Sequence, residues 1–260
     1  MNVTPTPDAP VNAGVACPKG WEALAPLRAS DRATTPLLRE RGDLRPVSWE
    51  VALDTFVRRF KAIGAAHGPE SVAFLGTGQL PNVELALLGC LAKHGMGMRH
   101  GDGNTRQCMA TAVVAYKQCF GFDAPPYTYE DLELSDTLVF IGANPAIAHP
   151  VLWSRVVKRR ERPAIVVVDP RRTETAALAT LHLAPAPKSD LVLLYGLARL
   201  LIERGAVDRA FVDAHTTDFD AFARHVAPFT LARVVAATGL AAEEVERLAD
   251  LVARGARSRS

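Results

Sequence analysis

Cysteine is scarce: Cys17, Cys90, Cys108 and Cys119 are the four in 260 residues, and no two form a C-x2-C pair. That excludes a disulfide-built scaffold and, from this chain alone, a four-cysteine cluster site, so a reducing compartment is the plain expectation. No apolar stretch reaches the roughly 18 residues needed to span a bilayer, and the chain opens without a basic or apolar segment of secretory type. The 30 Lys+Arg and 28 Asp+Glu nearly cancel, to a formal +2, which leaves no basic footprint for nucleic acid or an anionic membrane. Several catalytic signatures are also missing: the G-x-G-x-x-G dinucleotide fingerprint, the Walker lysine, the G-x-S-x-G elbow and H-E-x-x-H. His67, His94, His100, His149, His182, His215 and His225 show no metal-ligand spacing, and no internal repeat is present.

The 48% of hydrophobic and 22% of charged residues suit one large domain or two small ones. Residues 1–46 are rich in Pro, Gly, Asn, Asp and Arg without a sustained period, and are expected to form an irregular arm. Ser48 then caps a helix whose Trp49, Ala52, Leu53, Phe56, Phe60 and Ile63 share one apolar face, ended by His67-Gly68-Pro69. Residues 71–75 form a short apolar strand running into Gly76-Thr77-Gly78-Gln79, and a helix follows from about Val83 to His94. The same unit recurs at residues 136–141 with the loop Gly142-Ala143-Asn144-Pro145, where Pro150 suits the first turn of the next helix. A third apolar strand, residues 164–168, ends in Asp169-Pro170-Arg171-Arg172.

After Leu181-His182-Leu183, Ser189 and Asp190 stand where they can cap an apolar helix reaching Gly205, and from Val207 onward every signal is helical. Continuous apolar strands alternating with helices imply a parallel sheet covered on both faces. The expected fold class is therefore α/β, doubly wound, with mostly parallel sheets and a helical C-terminal part.

In such sheets ligands bind beyond the carboxyl ends of the strands, where loops offer backbone N–H groups to phosphates. The loops after residues 75, 141 and 168 qualify, although strand-to-helix turns favour Gly and Asn for purely structural reasons as well. Cys108 closes the polar run Gly101-Asp102-Gly103-Asn104-Thr105-Arg106-Gln107 where a helix begins. A helix dipole and Arg106 two positions away would favour its thiolate, the form that binds metals or attacks electrophiles, while a small buried hydrophobe is the competing role. Cys90 and Cys119, among apolar neighbours, are expected to pack as small buried hydrophobes, and Lys158-Arg159-Arg160-Glu161-Arg162 reads as a solvated helix end. Cys17-Pro18 has the form of the last ligand of an iron–sulfur site, which one cysteine cannot build.

Taken in order, these segments resemble the catalytic subunit of molybdenum oxidoreductases that bind two molybdopterin guanine dinucleotides, above all the assimilatory and periplasmic nitrate reductases. The resemblance is carried by Val11-Asn12, Cys17-Pro18-Lys19-Gly20, Arg32, Thr34-Thr35-Pro36-Leu37-Leu38-Arg39 and Pro46-Val47-Ser48-Trp49-Glu50-Val51-Ala52-Leu53-Asp54. It continues through Gly76-Thr77-Gly78-Gln79, Asn104-Thr105-Arg106-Gln107-Cys108-Met109-Ala110, Gly142-Ala143-Asn144, His149-Pro150 and Val168-Asp169-Pro170-Arg171. It implies that Cys108 ligates molybdenum and that Lys19 lies on the electron path between an iron–sulfur cluster and a pterin. It implies that Gln79 and Asn104 contact the guanine dinucleotides, together with Ile141, Gly142, Ala143, Asn144, Pro145 and Ala148. The same role falls to Asp169, Pro170, Arg171, Arg172 and Thr173, and to Lys188, Ser189 and Asp190. Cys17 would be the single remaining ligand of the family's 4Fe–4S cluster.

The family places three further cysteines, C-x2-C-x3-C, upstream of the position of Cys17, and continues for several hundred residues past the position of Ser260. The expectation is therefore an N-terminal fragment that cannot complete the cluster and has no activity on its own. Residues 1–46 would be a remnant of the iron–sulfur domain, residues 47–103 the first part of an α/β molybdopterin-binding domain, and residues 104–260 an incomplete Rossmann-like domain. The implied substrate is nitrate, the implied partner an electron-donor protein or flavoprotein, and the implied location the cytoplasm, or the periplasm if a signal precedes. A formate dehydrogenase-like oxidoreductase of the same architecture, a non-catalytic nucleotide-binding module and a thiol enzyme using Cys108 are the alternatives.

Overall fold

The computed structural model describes residues 3–257. In chain order a short helix α1 (Pro18–Trp21) is followed by the hairpin β1 (Leu37–Glu40) and β2 (Asp43–Pro46) and by α2 (Trp49–His67). Next come β3 (Ala73–Gly76), α3 (Asn82–Cys90), β4 (His100–Gly103), α4 (Thr105–Phe120) and α5 (Tyr129–Leu134). Then follow β5 (Thr137–Ile141), α6 (Pro145–Ala148), α7 (Pro150–Val157), β6 (Ala164–Val168) and β7 (Leu181–Leu183). The chain ends in α8 (Asp190–Glu203), α9 (Arg209–His215), α10 (Phe219–Val226), α11 (Leu231–Thr238) and α12 (Ala242–Arg257). Two compact units result: a middle unit of Leu24–Pro126, and a larger unit that joins the N-terminal residues up to Ala23 to the chain from Tyr127 onward.

The larger unit is built on a parallel sheet in the order β5-β6-β7. Because side chains alternate across a strand, the uninterrupted run of β6 must be covered twice. Val166 and Val168 join Leu181 and Leu183 on one face, under Leu193 of α8, Val234 of α11 and Val245 and Leu248 of α12. Ile165 and Val167 join Leu138 on the other, under Trp153 and Val156 of α7. Each such buried side chain contributes about 1.5–3 kcal/mol relative to exposure. The doubly wound α/β architecture expected from the sequence is thus present, with the all-helical segment after Val207 closing one face. Helix α8 passes α11 closely at Gly196, where a β-carbon would stand 2.2 Å from Cγ2 of Val234.

The middle unit has little interior. Its parallel pair β3-β4 is two strands wide, and the buried residues here are Thr55 and Ala92. Helix α2 begins and ends as its sequence predicts: Ser48 Oγ accepts the Val51 N–H at 3.3 Å, and Gly68, at φ 84°, closes it. Its expected apolar face, however, is not a core. Trp49 is 68% and Leu53 57% exposed, and Phe56 and Ile63 are exposed too, because two strands cannot cover a five-turn helix.

Three local readings are corrected and one further helix is found. Within the stretch read as an irregular arm, residues 37–46 form an antiparallel hairpin, pairing Leu37 with Pro46 and Glu40 with Asp43. Its turn residues Arg41 and Gly42 have φ of 51° and 97°, the two positive values of a type I′ turn. Gly101-Asp102-Gly103, read as loop, lies in β4, where the Phe74 ring fills the space of the missing side chain of Gly101. The helix expected to run to His94 changes after Cys90 into a single π turn over Leu91–Gly95. Residues 129–134 form α5, started by Asp131, whose carboxylate accepts the Thr128 N–H at 2.7 Å and its hydroxyl at 3.0 Å.

Candidate functional site

Because β5, β6 and β7 run parallel, the loops that follow them open on one carboxyl edge of one sheet. The first loop leaves β5 at Ile141. Gly142, at φ 58°, donates its N–H to Val168 at 2.9 Å and so extends the ladder by one rung. Asn144 then joins this loop to the next. Its Oδ1 accepts the Thr175 N–H at 3.2 Å and the Thr175 hydroxyl at 2.7 Å, while its Nδ2 donates to Glu174 at 2.7 Å. Thr175 is fully buried, and its hydroxyl also accepts the Ala146 N–H at 3.1 Å.

The second loop is an Asx turn: the Arg171 N–H donates to Asp169 Oδ1 at 2.8 Å, and the ring of His182 bonds the Asp169 carbonyl through Nε2 at 2.9 Å. Pro170, Arg171 and Arg172 are exposed, whereas Thr173 is buried and its hydroxyl caps the next turn by accepting the Ala176 N–H at 3.2 Å. The third loop sets Lys188, Ser189 and Asp190 at the start of α8. Lys188 is exposed at φ 72°, a left-handed conformation that favours glycine. Ser189 occupies the N-cap position as expected, but its buried hydroxyl donates back to Ala186 at 2.6 Å and does not cap the helix.

Of the residues singled out along this edge, Pro145, Thr173 and Ser189 are buried and Asn144 has its amide fully engaged. Gly142, Ala143, Ala148, Pro170, Arg171, Arg172 and Lys188 are exposed. Glu174, Thr175 and His182 hold these loops and were not picked out from the sequence. Their signal was proximity to a strand end alone, since a Thr or a Glu in a loop is otherwise ordinary. The Glu174 carboxyl lies below its ordinary value, held there by its own backbone N–H, by the Asn144 amide and by the charge of Arg171.

A second strand end lies in the middle unit. The loop after β3 and the start of α4 after β4 are stitched together: Asn104 donates its N–H to Gly76 at 3.1 Å and accepts the Gly78 N–H on Oδ1 at 3.1 Å. Gln79 is exposed beside this stitch, and Cys108 is exposed on the opening turns of α4. The burial that would make Cys108 a mere packing residue is absent, but Cys90 and Cys119, expected to pack as buried hydrophobes, are exposed as well, so it is the position of Cys108 after the polar glycine run, and not its exposure, that sets it apart. The cation expected to assist it is committed elsewhere: Arg106 Nε donates to Asp102 Oδ2 at 2.8 Å, and this bond, with the Gly103 N–H, holds the Asp102 carboxyl below its ordinary value.

Cys17 and Lys19 lie in neither cluster of loops but in the N-terminal segment of the larger unit, Cys17 half-buried at the start of α1 and Lys19 exposed. The Gly20 N–H, aided by the Lys19 N–H and ammonium, draws the Cys17 thiol below its ordinary value. Among the described residues no three His, Cys, Asp or Glu side chains gather as a metal site, so this chain's own residues do not fit a 4Fe–4S cluster. Within the middle unit, the exposed soft thiol of Cys108 beside glycine turns fits a metal carried by an organic cofactor; within the larger unit, the Gly142 turn with the exposed Arg171, Arg172 and Lys188 fits the diphosphate of a nucleotide. No helix among the described residues is long and apolar enough to cross a membrane.

The family model described as molybdopterin oxidoreductase matches residues 32–252. An assimilatory nitrate reductase of Haloferax mediterranei is 40% identical over 246 residues, covering 95% of this chain and 34% of that protein. A periplasmic nitrate reductase of Desulfovibrio desulfuricans is 38% identical over 215 residues, covering 81% of this chain and 28% of that protein. Among solved structures, acetylene hydratase from Pelobacter acetylenicus shares the fold with a TM-score of 0.73 at 24% identity, over 92% of this chain and 33% of that one. The chain thus spans about a third of the length of the curated relatives it matches. With the family model matched from the N-terminal hairpin to the last helix, this chain belongs to the molybdopterin oxidoreductase family.

Proposed function

We propose that the chain is the part of a nitrate reductase that holds a molybdenum bis(molybdopterin guanine dinucleotide) cofactor, with Cys108 as the protein ligand of the metal. The observation that carries this reading is the exposed Cys108 at the β3-β4 strand end, on a family member whose relatives are named nitrate reductases. When bound, the cofactor supplies the two-electron exchange with nitrate.

The protein groups bind and orient. The Cys108 thiolate offers the soft donor, Gln79 stands in the loop after β3, and the Asn104 side chain keeps that loop in place through the Gly78 N–H. Gly142, Ala143 and Ala148 present backbone at the β5 end, and Arg171, Arg172 and Lys188 place cations where diphosphates need them. Ile141, Asp169, Pro170 and Asp190 complete that edge, with Asn144, Pro145, Thr173 and Ser189 shaping it from below. Lys19 belongs to the electron path in this reading, and an electron-donor protein or flavoprotein supplies the electrons. A cytoplasmic location follows the likeness to an assimilatory enzyme.

The test is metal and guanine analysis of the 260-residue chain produced in a host that makes the cofactor. Stoichiometric molybdenum and guanine, lost in Cys108→Ser and kept in Cys90→Ser, are expected. A folded chain without either overturns the cofactor reading. Formate oxidation without nitrite formation by the loaded chain overturns the choice of nitrate.

A further inference from the structure

The N-terminal segment that bears Cys17 and Lys19 has no buried residue between positions 3 and 21, so apolar burial does not hold it. It is instead ordered internally by short-range bonds. The Asn12 amide donates to the Val15 carbonyl at 3.1 Å, Val15 N–H donates to Asn12 at 2.8 Å, the Trp21 indole donates to Ala16 at 3.1 Å, and Gly20 and Trp21 N–H both donate to Cys17. Isolated turns of this kind open readily unless something anchors them, and they set no position relative to the sheet.

That position is set from α7. Arg155 Nη1 donates to the carbonyls of Pro10 and Val11, both at 2.8 Å. The same guanidinium donates through Nε to Glu133 of α5 and lies 5.2 Å over the Tyr129 ring. Glu133 takes the Nε edge of the planar cation and Tyr129 one of its faces, which aims Nη1 at the arm. Trp153 and Val156, its neighbours on α7, are buried against the sheet, which makes the helix a rigid base for it.

We infer that Arg155 is a positioning residue for the Cys17–Lys19 segment, clamping it to the α5–α7 face through the Pro10 and Val11 carbonyls. Its effect on electron supply rests on the functional reading above; the clamp itself does not.

Amide exchange and the alkylation rate of Cys17, read by peptide mass spectrometry on the 260-residue chain, separate the two. Arg155→Ala is expected to speed exchange at Ala13, Val15, Gly20 and Trp21 at least tenfold, with exchange at Val166, Val167 and Val168 unchanged. Arg155→Lys, which keeps donors for the two carbonyls but loses the fork to Glu133, is expected to restore part of the protection. Should Arg155→Ala fail to fold, Glu133→Gln is the second variant, with a smaller loosening confined to the same amides. Unchanged arm exchange in a folded variant, or loosening spread equally over the sheet, overturns the clamp. If the chain loads with cofactor, slower turnover at an unchanged KM for nitrate in Arg155→Ala is expected. A clamp shown by exchange with no loss of turnover leaves the clamp standing and refutes its role in electron supply.

Discussion

Replacing Gly196 by alanine tests how the larger unit is held together. A β-carbon at this position would stand 2.2 Å from Val234 Cγ2 and 3.6 Å from the Phe229 carbonyl oxygen. Ordinary carbon contacts begin near 3.5 Å, so α8 and α11 must part by roughly 1.3 Å or Val234 must turn. Turning is costly, because a β-branched residue in a helix has one strongly preferred rotamer and Val234 is fully buried. Overpacking of this kind costs about 1–3 kcal/mol, against which alanine returns about 1 kcal/mol of helix propensity. The expected net loss is up to about 2 kcal/mol, a fall in Tm of up to roughly 8 °C for a chain of this size.

Urea unfolding followed by circular dichroism measures it, and a double-mutant cycle with Val234→Ala locates it. That single variant should lose about 2 kcal/mol by deleting buried methyls, and the double variant should recover about 1–2 kcal/mol as the new methyl occupies the space. A Gly196→Ala variant about 1 kcal/mol more stable than the parent, with no coupling to Val234, would refute the close crossing.

Thr175→Val keeps the shape of a buried side chain but strips the hydroxyl's bonds to Asn144 and Ala146, and is expected to cost about 1–3 kcal/mol, chiefly because the part-buried Ala146 N–H loses its acceptor while Asn144 keeps the Thr175 N–H; equal midpoints in urea would contradict it. For Cys17, alkylation against pH should show a midpoint below that of the same cysteine in the urea-unfolded chain, since the Gly20 N–H and Lys19 favour the thiolate only in the folded segment. Coincident midpoints would mean that the segment does not hold this form in solution.

The sequence is most transparent where one physical demand acts alone. The run at residues 164–168 had to be a strand covered on both faces, and it is; Ser48 and Gly68 bound α2 within a residue of expectation. Legibility fails where a partner far along the chain supplies what the local residues lack. Gly101-Asp102-Gly103 has no strand propensity of its own, and the Phe74 ring and the ladder to β3 make it one. Burial on α2 was misjudged for the same reason, since amphipathicity states which face seeks cover and not whether cover exists. At the candidate site the strand-end loops were legible because every strand-to-helix turn in a parallel sheet opens on one edge. The division of labour within them was not, because Asn144 and Thr173 look identical in sequence whether they face a ligand or tie down a loop.

The bridge from Asn144 to Glu174 and Thr175 makes two loops into one body. Loops that close on a ligand give up conformational freedom at the moment of binding, which weakens affinity. Here that ordering accompanies folding of the sheet itself, through a threonine with no exposure to solvent. A molecule arriving at the β5-β6 edge meets a surface whose shape is already chosen, so discrimination among ligands there depends on fit to a fixed mould and not on which ligand best induces closure.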